Sequence, residues 1–269
     1  MKNILNKEAK DTFIDLHCHI LPDMDDGAKT LEEAMALVDA QVESGVSVLA
    51  LTPHFCPERE ELAAFLRRRN NSFARLQSKC AEKKTPIKLL LGAEVSFSTK
   101  ILEMDIAALC ISGTRTLLIE LPNLHFPRCA EDVLFELKMM DITPMLAHVE
   151  RYSYVQRDPN ILLPLIQDGV LMQANAGGLL LQDKKKKKLL TMLRHDFIHI
   201  MVSDTHSVGL RPPCLVQGLS IVADKLGEEA GKQLNERAKE LIAGKKVQIK
   251  KPRPLANGIF DFFMQRGTG

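Results

Sequence analysis

The sequence has no tryptophan, only two tyrosines, no long apolar run and a formal net charge of only +2. No stretch approaches the roughly 18 to 20 uncharged apolar residues that a membrane helix needs, and the polar first ten residues lack the apolar segment of a signal peptide. We therefore expect a cytoplasmic protein without membrane insertion. The small net charge and the scarcity of aromatic residues argue against a nucleic-acid groove.

Cysteine motifs are also missing. The six cysteines are scattered without a C-x-x-C pair: Cys18, Cys56, Cys80, Cys110, Cys129 and Cys214. This spacing favours reduced packing thiols over a disulfide framework or a zinc ribbon. None of them is followed six positions later by arginine, which excludes the C-x5-R loop of cysteine-based tyrosine phosphatases.

Seven apolar, β-branched runs alternate with amphipathic segments along the chain. They cover residues 13–16, 46–51, 88–91, 117–121, 143–147, 170–173 and 199–202. The segment between the first two runs predicts a helix, with Thr30 and Glu33 in a capping-box pattern and Gly45 after its end. Strands separated by helices imply a parallel sheet, and seven such units favour a closed or nearly closed α/β barrel.

One domain is expected to account for most of the chain. We predict a single domain over residues 1–251 and a tail over residues 252–269, where KPRP and FDFF interrupt the repeated pattern. Residues 96–115 also fit the alternation poorly. The lysine run at residues 184–188 is expected to begin a helix as its solvated face, with a phosphate-attracting or partner-binding patch as the alternative.

Ionisable side chains stand where these runs end. The first run leads into His17 and His19, whose alternate spacing directs both imidazoles to one side of an extended segment. The other donors follow later runs: His54, Glu94, Glu120, His148, Asp204 and His206. We expect them to converge, because the carboxyl ends of barrel strands form the face that carries active sites. Outside this pattern lie His125, His195 and His199, interpreted as ordinary residues.

The donor types indicate a metal centre. Imidazoles and carboxylates without clustered thiolates suit zinc, manganese or iron better than calcium or copper. The donors exceed what one ion binds, so two or three ions that share carboxylates are the natural inference. Arg151 and Arg211 closely follow His148 and His206, and planar guanidinium groups match a phosphoryl group. The sequence thus favours phosphoryl chemistry over amide hydrolysis or deamination.

Seven segments resemble the polymerase and histidinol phosphatase (PHP) superfamily, and within it the bacterial protein tyrosine phosphatases of the CpsB/CapC type. In chain order they read IDLHCHILPDMDDGAKTLEEA, LALTPHF, LLLGAEV, LLIELP, MLAHVERY, QANAGGLLL and SDTHSVGLRPP. They extend over residues 14–213. The resemblance implies the PHP fold, a distorted, TIM-like (β/α)7 barrel, with a trinuclear site that typically holds manganese, and with iron or zinc as alternatives.

The resemblance also assigns roles to individual side chains. One ion is expected at His17, His19, Glu94 and Asp204. A second is expected at Glu94, Glu120 and His148. A third is expected at Asp26, His54 and His206. Asp15 is expected behind the ligands, hydrogen-bonded to one of them. Arg151 and Arg211 match the arginines that the family uses near the substrate phosphate.

The activity implied by the resemblance is hydrolysis of phosphotyrosine in proteins, with a bacterial tyrosine autokinase that controls capsule or exopolysaccharide synthesis as the expected partner. The alternatives are a small-molecule phosphatase of the histidinol phosphate type, a phosphodiesterase or nuclease, and a non-catalytic scaffold. Two departures from the family pattern, Phe55 after His54 and Gly178 in NAGG, are expected to alter the pocket mouth and to leave the ligands intact. Assembly into an oligomer through the first helix is compatible with the sequence.

Overall fold

The computed structural model describes residues 12–256, which contain nine strands and eight α-helices. The strands are β1 (Phe13–Cys18), β2 (Val46–Leu51), β3 (His54–Phe55), β4 (Lys88–Leu91), β5 (Glu94–Ser96), β6 (Thr116–Glu120), β7 (Thr143–Leu146), β8 (Leu171–Asn175) and β9 (Ile200–Val202). The helices are α1 (Leu31–Glu43), α2 (Leu62–Lys83), α3 (Ala130–Met139), α4 (Ser153–Arg157), α5 (Leu163–Gln167), α6 (Lys184–Arg194), α7 (Leu215–Leu226) and α8 (Glu228–Ile242).

All seven apolar runs form strands, as predicted, with ends that shift by one or two residues. The predicted first helix is confirmed as α1. The Thr30 hydroxyl accepts a hydrogen bond from the Glu33 N–H at 3.2 Å, as an N-cap does. The Glu33 carboxylate accepts from the Lys29 N–H at 2.7 Å, one residue before the usual capping-box partner. Gly45 follows the helix with a φ of +100°, a conformation that glycine adopts without strain.

Every strand pair is parallel, but the strands divide into two sheets. One sheet has the order β1-β2-β4, and the other has the order β3-β5-β6-β7-β8-β9. An isolated parallel bridge between Cys18 and Thr205, and no strand pair among the described residues, links the first strand to the segment after the last. The closed barrel is therefore not confirmed within the described residues. Two breaks in the strands, at residues 52–53 and 92–93, separate the sheets.

The core follows the alternation of side chains along the strands. Leu49 and Leu51 belong to a large apolar cluster that also contains buried residues of the surrounding helices, such as Leu37. Leu16 and Ala50 belong to a second, smaller cluster built from the opposite strand faces. Both faces of the strands are thus buried against apolar side chains, and the polar groups lie where the strands end.

The structure also shows the outcome for several smaller features of the sequence. The lysine run opens α6, as expected, and residues 97–115, which follow β5, contain only two short 3-10 turns, Thr99–Glu103 and Ile106–Leu109. All six cysteines are free. Within residues 12–256, no helix combines the length and apolarity of a membrane span.

The start of the predicted tail lies against the body of the protein. Pro252 is buried, and the Leu255 N–H donates to Asn160 Oδ1 at 2.8 Å. Residues 1–11 and 257–269, including FDFF, lie outside the described residues. The domain boundary at residue 251 stays a prediction.

Candidate metal centre

At the end of β1, two imidazoles lie next to two carboxylates. The Nε2 atoms of His17 and His19 lie 3.0 Å apart. Each lies 3.2 Å from Glu94 Oε2 and 3.5 Å from Asp204 Oδ1. All four side chains are at most 1% exposed. Because the strands run parallel, residues far apart in the sequence reach one edge of the sheets, and these four surround a position suited to a cation.

Glu94 connects this group to a second one. Its Oε2 also lies 3.1 Å from His54 Nδ1, while its Oε1 lies 2.9 Å from His148 Nε2. Glu120 Oε1 approaches the same His148 nitrogen at 3.5 Å. The two oxygens of Glu94 thus face different donors, so this carboxylate could serve two neighbouring ions.

A third group opens toward solvent. Asp26 Oδ1 lies 3.3 Å from His206 Nε2 and 3.6 Å from His54 Nε2, and Asp26 is 64% exposed. One donor atom each of His19, Asp26, His54 and His206 lies within 4.8 Å of the others. His17, His19 and Asp204 form another such group, as do His54, Glu94 and Glu120. The structure therefore brings all nine predicted ligands into one cluster.

Hydrogen bonds on the far side of the imidazoles orient their lone pairs. His17 Nδ1 lies 3.1 Å from Gln173 Oε1, and His19 Nδ1 lies 2.6 Å from Asp25 Oδ2. Acceptors at both Nδ1 atoms favour the proton there, which leaves Nε2 free to bind a metal. Burial opposes a charged His19, yet Asp25 and Glu94 raise its pKa to about 10. The surrounding carboxylates therefore stabilise positive charge at this position strongly.

Three buried atoms in the cluster lack hydrogen-bond partners within the described part of the chain: Asp204 Oδ1, His206 Nε2 and His148 Nδ1. Burial alone would raise the pKa of Asp204, but His17, His19 and Arg211 lower it to about 2. An ionised, buried oxygen without a donor is costly unless a cation binds it. The donor set and these unpaired atoms fit divalent ions.

The backbone turns sharply at two of these positions. His148 has a φ of 32° and Asp204 a φ of 54°, both in the left-handed region that residues other than glycine seldom adopt. In the loop after β1, a Cβ on Gly27 would lie 1.8 Å from the His19 carbonyl oxygen, so only glycine fits there. The unusual backbone conformations at these turns direct the side chains of His148 and Asp204 into the cluster.

Asp15 lies beneath the cluster. Its carboxylate accepts hydrogen bonds from the Ser203 N–H at 3.1 Å, from the Ser203 hydroxyl and from Gln41 Nε2 at 3.2 Å. Its contact with a predicted ligand is a longer one, 3.4 Å from the backbone N–H of His17. Asp15 thus ties β1 to the segment that follows β9, which holds Asp204.

Two arginines and an amide face the remaining oxygen of Asp204. Arg151 Nη1 lies 3.2 Å from Asp204 Oδ2, Arg211 pairs with the same oxygen, and Asn175 Nδ2 donates to it at 2.6 Å. Arg151 is 51% exposed and Arg211 35%, and both line a groove of about 850 Å³ beside the cluster. An exposed pair of guanidinium groups next to a metal cluster suits a phosphoryl group.

Comparison with known proteins gives this geometry a family. Residues 13–243 match the family described as capsular polysaccharide synthesis, CpsB/CapC. The chain belongs to the CpsB/CapC family. The tyrosine-protein phosphatase YwqE of Bacillus subtilis is 29% identical over 259 residues, covering 93% of this chain and 100% of the relative. The tyrosine-protein phosphatase CpsB of Streptococcus agalactiae is 29% identical over 232 residues, covering 82% and 94%.

A solved structure agrees with this placement in the CpsB/CapC family. It is described as one of the metal-dependent tyrosine phosphatases YwqE from Bacillus subtilis and CpsB from Streptococcus pneumoniae, and it matches with a TM-score of 0.84 and 27% identity. The match covers 91% of this chain and 100% of the other. A lactonase from Listeria monocytogenes, at 12% identity and a TM-score of 0.53, shares the fold alone. The parallel α/β architecture is thus that of the family.

The two departures from the CpsB/CapC pattern lie in different surroundings. Phe55 is fully buried, with its ring centroid 4.7 Å from that of Phe65, so the prediction that it alters the pocket mouth is wrong. Gly178 does line the groove, and a Cβ there would lie 3.1 Å from Leu189. Because glycine has no side chain, the groove is wider at this position, and no predicted ligand is changed.

Sequence reasoning missed three polar residues that orient the cluster: Asp25, Gln173 and Asn175. Gln173 and Asn175 alternate at the end of β8, the one predicted strand to which no ligand had been assigned. That alternation was the available signal.

The three histidines interpreted as ordinary residues lie outside the cluster: His125 is exposed, His195 bonds to the Arg253 carbonyl and His199 accepts from the Met172 N–H.

Proposed function

We propose that this chain is a metal-dependent phosphatase that hydrolyses phosphotyrosine in proteins. The observation that carries the proposal is the buried cluster of imidazoles and carboxylates bridged by Glu94, with Arg151 and Arg211 at its open side. The names of the relatives, tyrosine-protein phosphatases, supply the substrate class.

The ligand assignment is part of the proposal. The first ion would be held by His17, His19, Glu94 and Asp204. The second would be held by Glu94, Glu120 and His148. The third would be held by Asp26, His54 and His206. The three groups of neighbouring donor atoms agree with this division in part, and His19 and His54 each lie close enough to serve a neighbouring position as well. Manganese is the proposed metal, with iron or zinc as alternatives, because the donors are nitrogen and oxygen.

The chain's own side chains orient the phosphate. Divalent ions at these ligands would supply Lewis acidity toward phosphoryl oxygens and lower the pKa of water. Arg151 and Arg211 would exchange part of their contact with Asp204 for the substrate, and would neutralise charge that develops on phosphorus. A phenol leaves without strong acid assistance, since its pKa is about 10.

A cysteine nucleophile is inconsistent with the groove. Cys214 is the only cysteine among the described residues that line it. Burial, with added repulsion from Asp15 and Asp204, raises the pKa of this thiol to about 12. A neutral thiol at physiological pH is a poor nucleophile.

The biological setting proposed is a cytoplasmic one, with a bacterial tyrosine autokinase that controls capsule or exopolysaccharide synthesis as the substrate. The family description supports the link to capsular polysaccharide. We also infer one domain over residues 1–251, with the two sheets as parts of one distorted (β/α)7 barrel. Strands β2 and β3 are only two residues apart, as are β4 and β5, which supports their reading as interrupted barrel strands.

Initial rates test the proposal. Metal-stripped protein is assayed with and without manganese on a phosphotyrosine peptide, the matching phosphoserine peptide and histidinol phosphate. Turnover that requires manganese and prefers phosphotyrosine is expected. A preference for histidinol phosphate would retain the site and replace the substrate, and no turnover on any compound would favour the scaffold.

A further inference from the structure

The lysine run, to which the proposed chemistry assigns no role, lies beside the groove of the metal centre. Of its five lysines, Lys184, Lys185 and Lys188 line the groove, together with Arg151 and Arg211. Glu150 is the only carboxylate among the described residues that line it. The wall of the groove is therefore strongly cationic, from the metal centre to the first turns of α6.

The run is unfavourable for the helix that contains it. Positive side chains in the first turn oppose the helix dipole, and neighbouring lysines repel one another. Asp183 caps the helix by accepting from the N–H groups of Lys185 and Lys186 at 2.8 and 3.2 Å, but no lysine of the run forms an ion pair with a described carboxylate. Lys188 Nζ also donates to the Gln156 carbonyl, but a row of lysines without ion pairs in the first turns of a helix lowers local stability and points to a use at the surface.

The groove has the size and rim of a peptide site. Its volume of about 850 Å³ lies in the upper part of the roughly 300–1,000 Å³ range of ligand pockets. Leu181 and Leu210 line it while 44% and 95% exposed. Apolar side chains beside lysines offer an extended segment both contact area and charge pairing.

We propose that the amino-terminal half of α6 is the docking surface for an acidic phosphopeptide. This inference rests on the proposed phosphotyrosine hydrolysis. The phosphotyrosine occupies the metal centre between Arg151 and Arg211, while Lys184, Lys185 and Lys188 pair with further negative charge on the same segment. That charge is a cluster of carboxylates. Charge complementarity across the groove selects this occupant.

The chain offers a matched control for this surface. A triple variant, K184Q/K185Q/K188Q, removes the charges that face the groove. A double variant, K186Q/K187Q, removes charges from the same helix whose side chains do not line it. Glutamine has a helix propensity close to that of lysine, so both variants keep α6.

Three phosphotyrosine peptides are compared for wild type and both variants: one with neutral flanks, one with glutamates and one with a second phosphotyrosine. In wild type and the double variant, we expect kcat/KM for the peptide with glutamates to exceed that for the neutral peptide by about tenfold. In the triple variant, we expect the two values to be equal. The preference falls as salt rises. A preference for the peptide with a second phosphotyrosine but not for the one with glutamates would contradict the assignment to carboxylates. An equal preference in wild type and the triple variant would overturn the proposal, as would no preference in wild type.

Two readouts separate this proposal from the proposed function. Hydrolysis of a small aryl phosphate is expected to be unchanged in both variants, because it does not reach α6. Fluorescence anisotropy of labelled, acidic phosphopeptide reports docking without turnover. If wild type hydrolyses nothing, the proposed function fails, and weaker binding to the triple variant alone still supports the docking surface. Equal binding by all three proteins contradicts it.

Discussion

Asp25 shows how much of this centre depends on residues that need not bind a metal themselves. Its carboxylate bonds to His19 Nδ1 at 2.6 Å, to the His54 N–H at 3.0 Å and to the Gly27 N–H at 3.0 Å. The bond to His19 holds the pKa of Asp25 well below its usual range, against the opposing effect of burial. One side chain thus positions two proposed ligands and the loop between β1 and α1.

Asp25→Asn is therefore expected to weaken metal affinity by about 10- to 100-fold, because the amide loses the charge-assisted bond that orients His19. Manganese titration followed by calorimetry measures the affinity. The control is Asp23→Asn, at an exposed position two residues earlier whose φ of 60° asparagine tolerates. Equal affinities in the two variants would show that Asp25 does not position His19.

Residue identity was predictable where a regular element fixed the direction of a side chain. The alternation of His17 and His19 at the end of β1 indicates one shared face, and the structure places the Nε2 atoms of the two rings 3.0 Å apart. The three acids at positions 23, 25 and 26 follow in an irregular loop, where no period distinguishes them. Asp26 was named only through the family resemblance, and Asp25 was missed, because close contacts of the loop decide which acid faces which imidazole.

At the scale of elements, the loop between β1 and α1 is held by the close approach of Gly27 to His19. The Ala28 N–H donates to the His19 carbonyl at 3.2 Å, and the Asp23 N–H donates to the Ala28 carbonyl at 3.0 Å. These bonds fold the loop back onto the end of β1. The loop therefore carries Asp25 and Asp26 toward the cluster.

Gly27→Ala is expected to lower the free energy of unfolding by about 1–3 kcal/mol and to reduce manganese affinity, because its Cβ meets backbone atoms that cannot move without displacing His19. Denaturant unfolding and metal titration measure the two effects. Gly209→Ala is the control, since a Cβ there meets nothing within 4 Å. A variant at residue 27 with unchanged stability and affinity would contradict this account of the loop.

The seven main strands and the first helix were predictable because each combines a long apolar pattern with clear end signals. Strands β3 and β5 were not, since they have two and three residues and follow breaks at residues 52–53 and 92–93. Two or three residues show no measurable periodicity. The division into two sheets depends on these breaks, so the sequence predicted parallel α/β order but not the sheet boundaries.

For the whole molecule, the buried histidine away from the cluster links folding to pH. His199 is 1% exposed and accepts from the Met172 N–H at 2.9 Å. Burial, with added repulsion from Arg237, lowers its pKa to about 3. An unfolded histidine has a pKa of about 6.5. Stability from this group is thus present above pH 6.5 and is lost as the pH falls toward 3, because the unfolded state binds the proton first.

We expect His199 to make the protein about 2 kcal/mol less stable at pH 5 than at pH 7. The His199→Gln variant keeps an acceptor for the Met172 N–H and removes the titrating group. Between pH 7 and pH 5, its free energy of unfolding should therefore fall by about 2 kcal/mol less than that of wild type. Urea unfolding at both pH values measures the difference. His125→Gln, at an exposed site, is the control and should follow wild type. A parallel pH dependence in wild type and His199→Gln would be inconsistent with a neutral, buried His199.

The most direct test of the central claim, that this cluster is a catalytic metal centre, is turnover of a phosphotyrosine peptide by His148→Ala and Asp204→Asn at saturating manganese. Bound metal is counted in the same samples, with His125→Ala as control. We expect rates at least about 10²-fold below wild type, less bound metal and unchanged circular dichroism. Wild-type rates in either metal-saturated variant would contradict this claim.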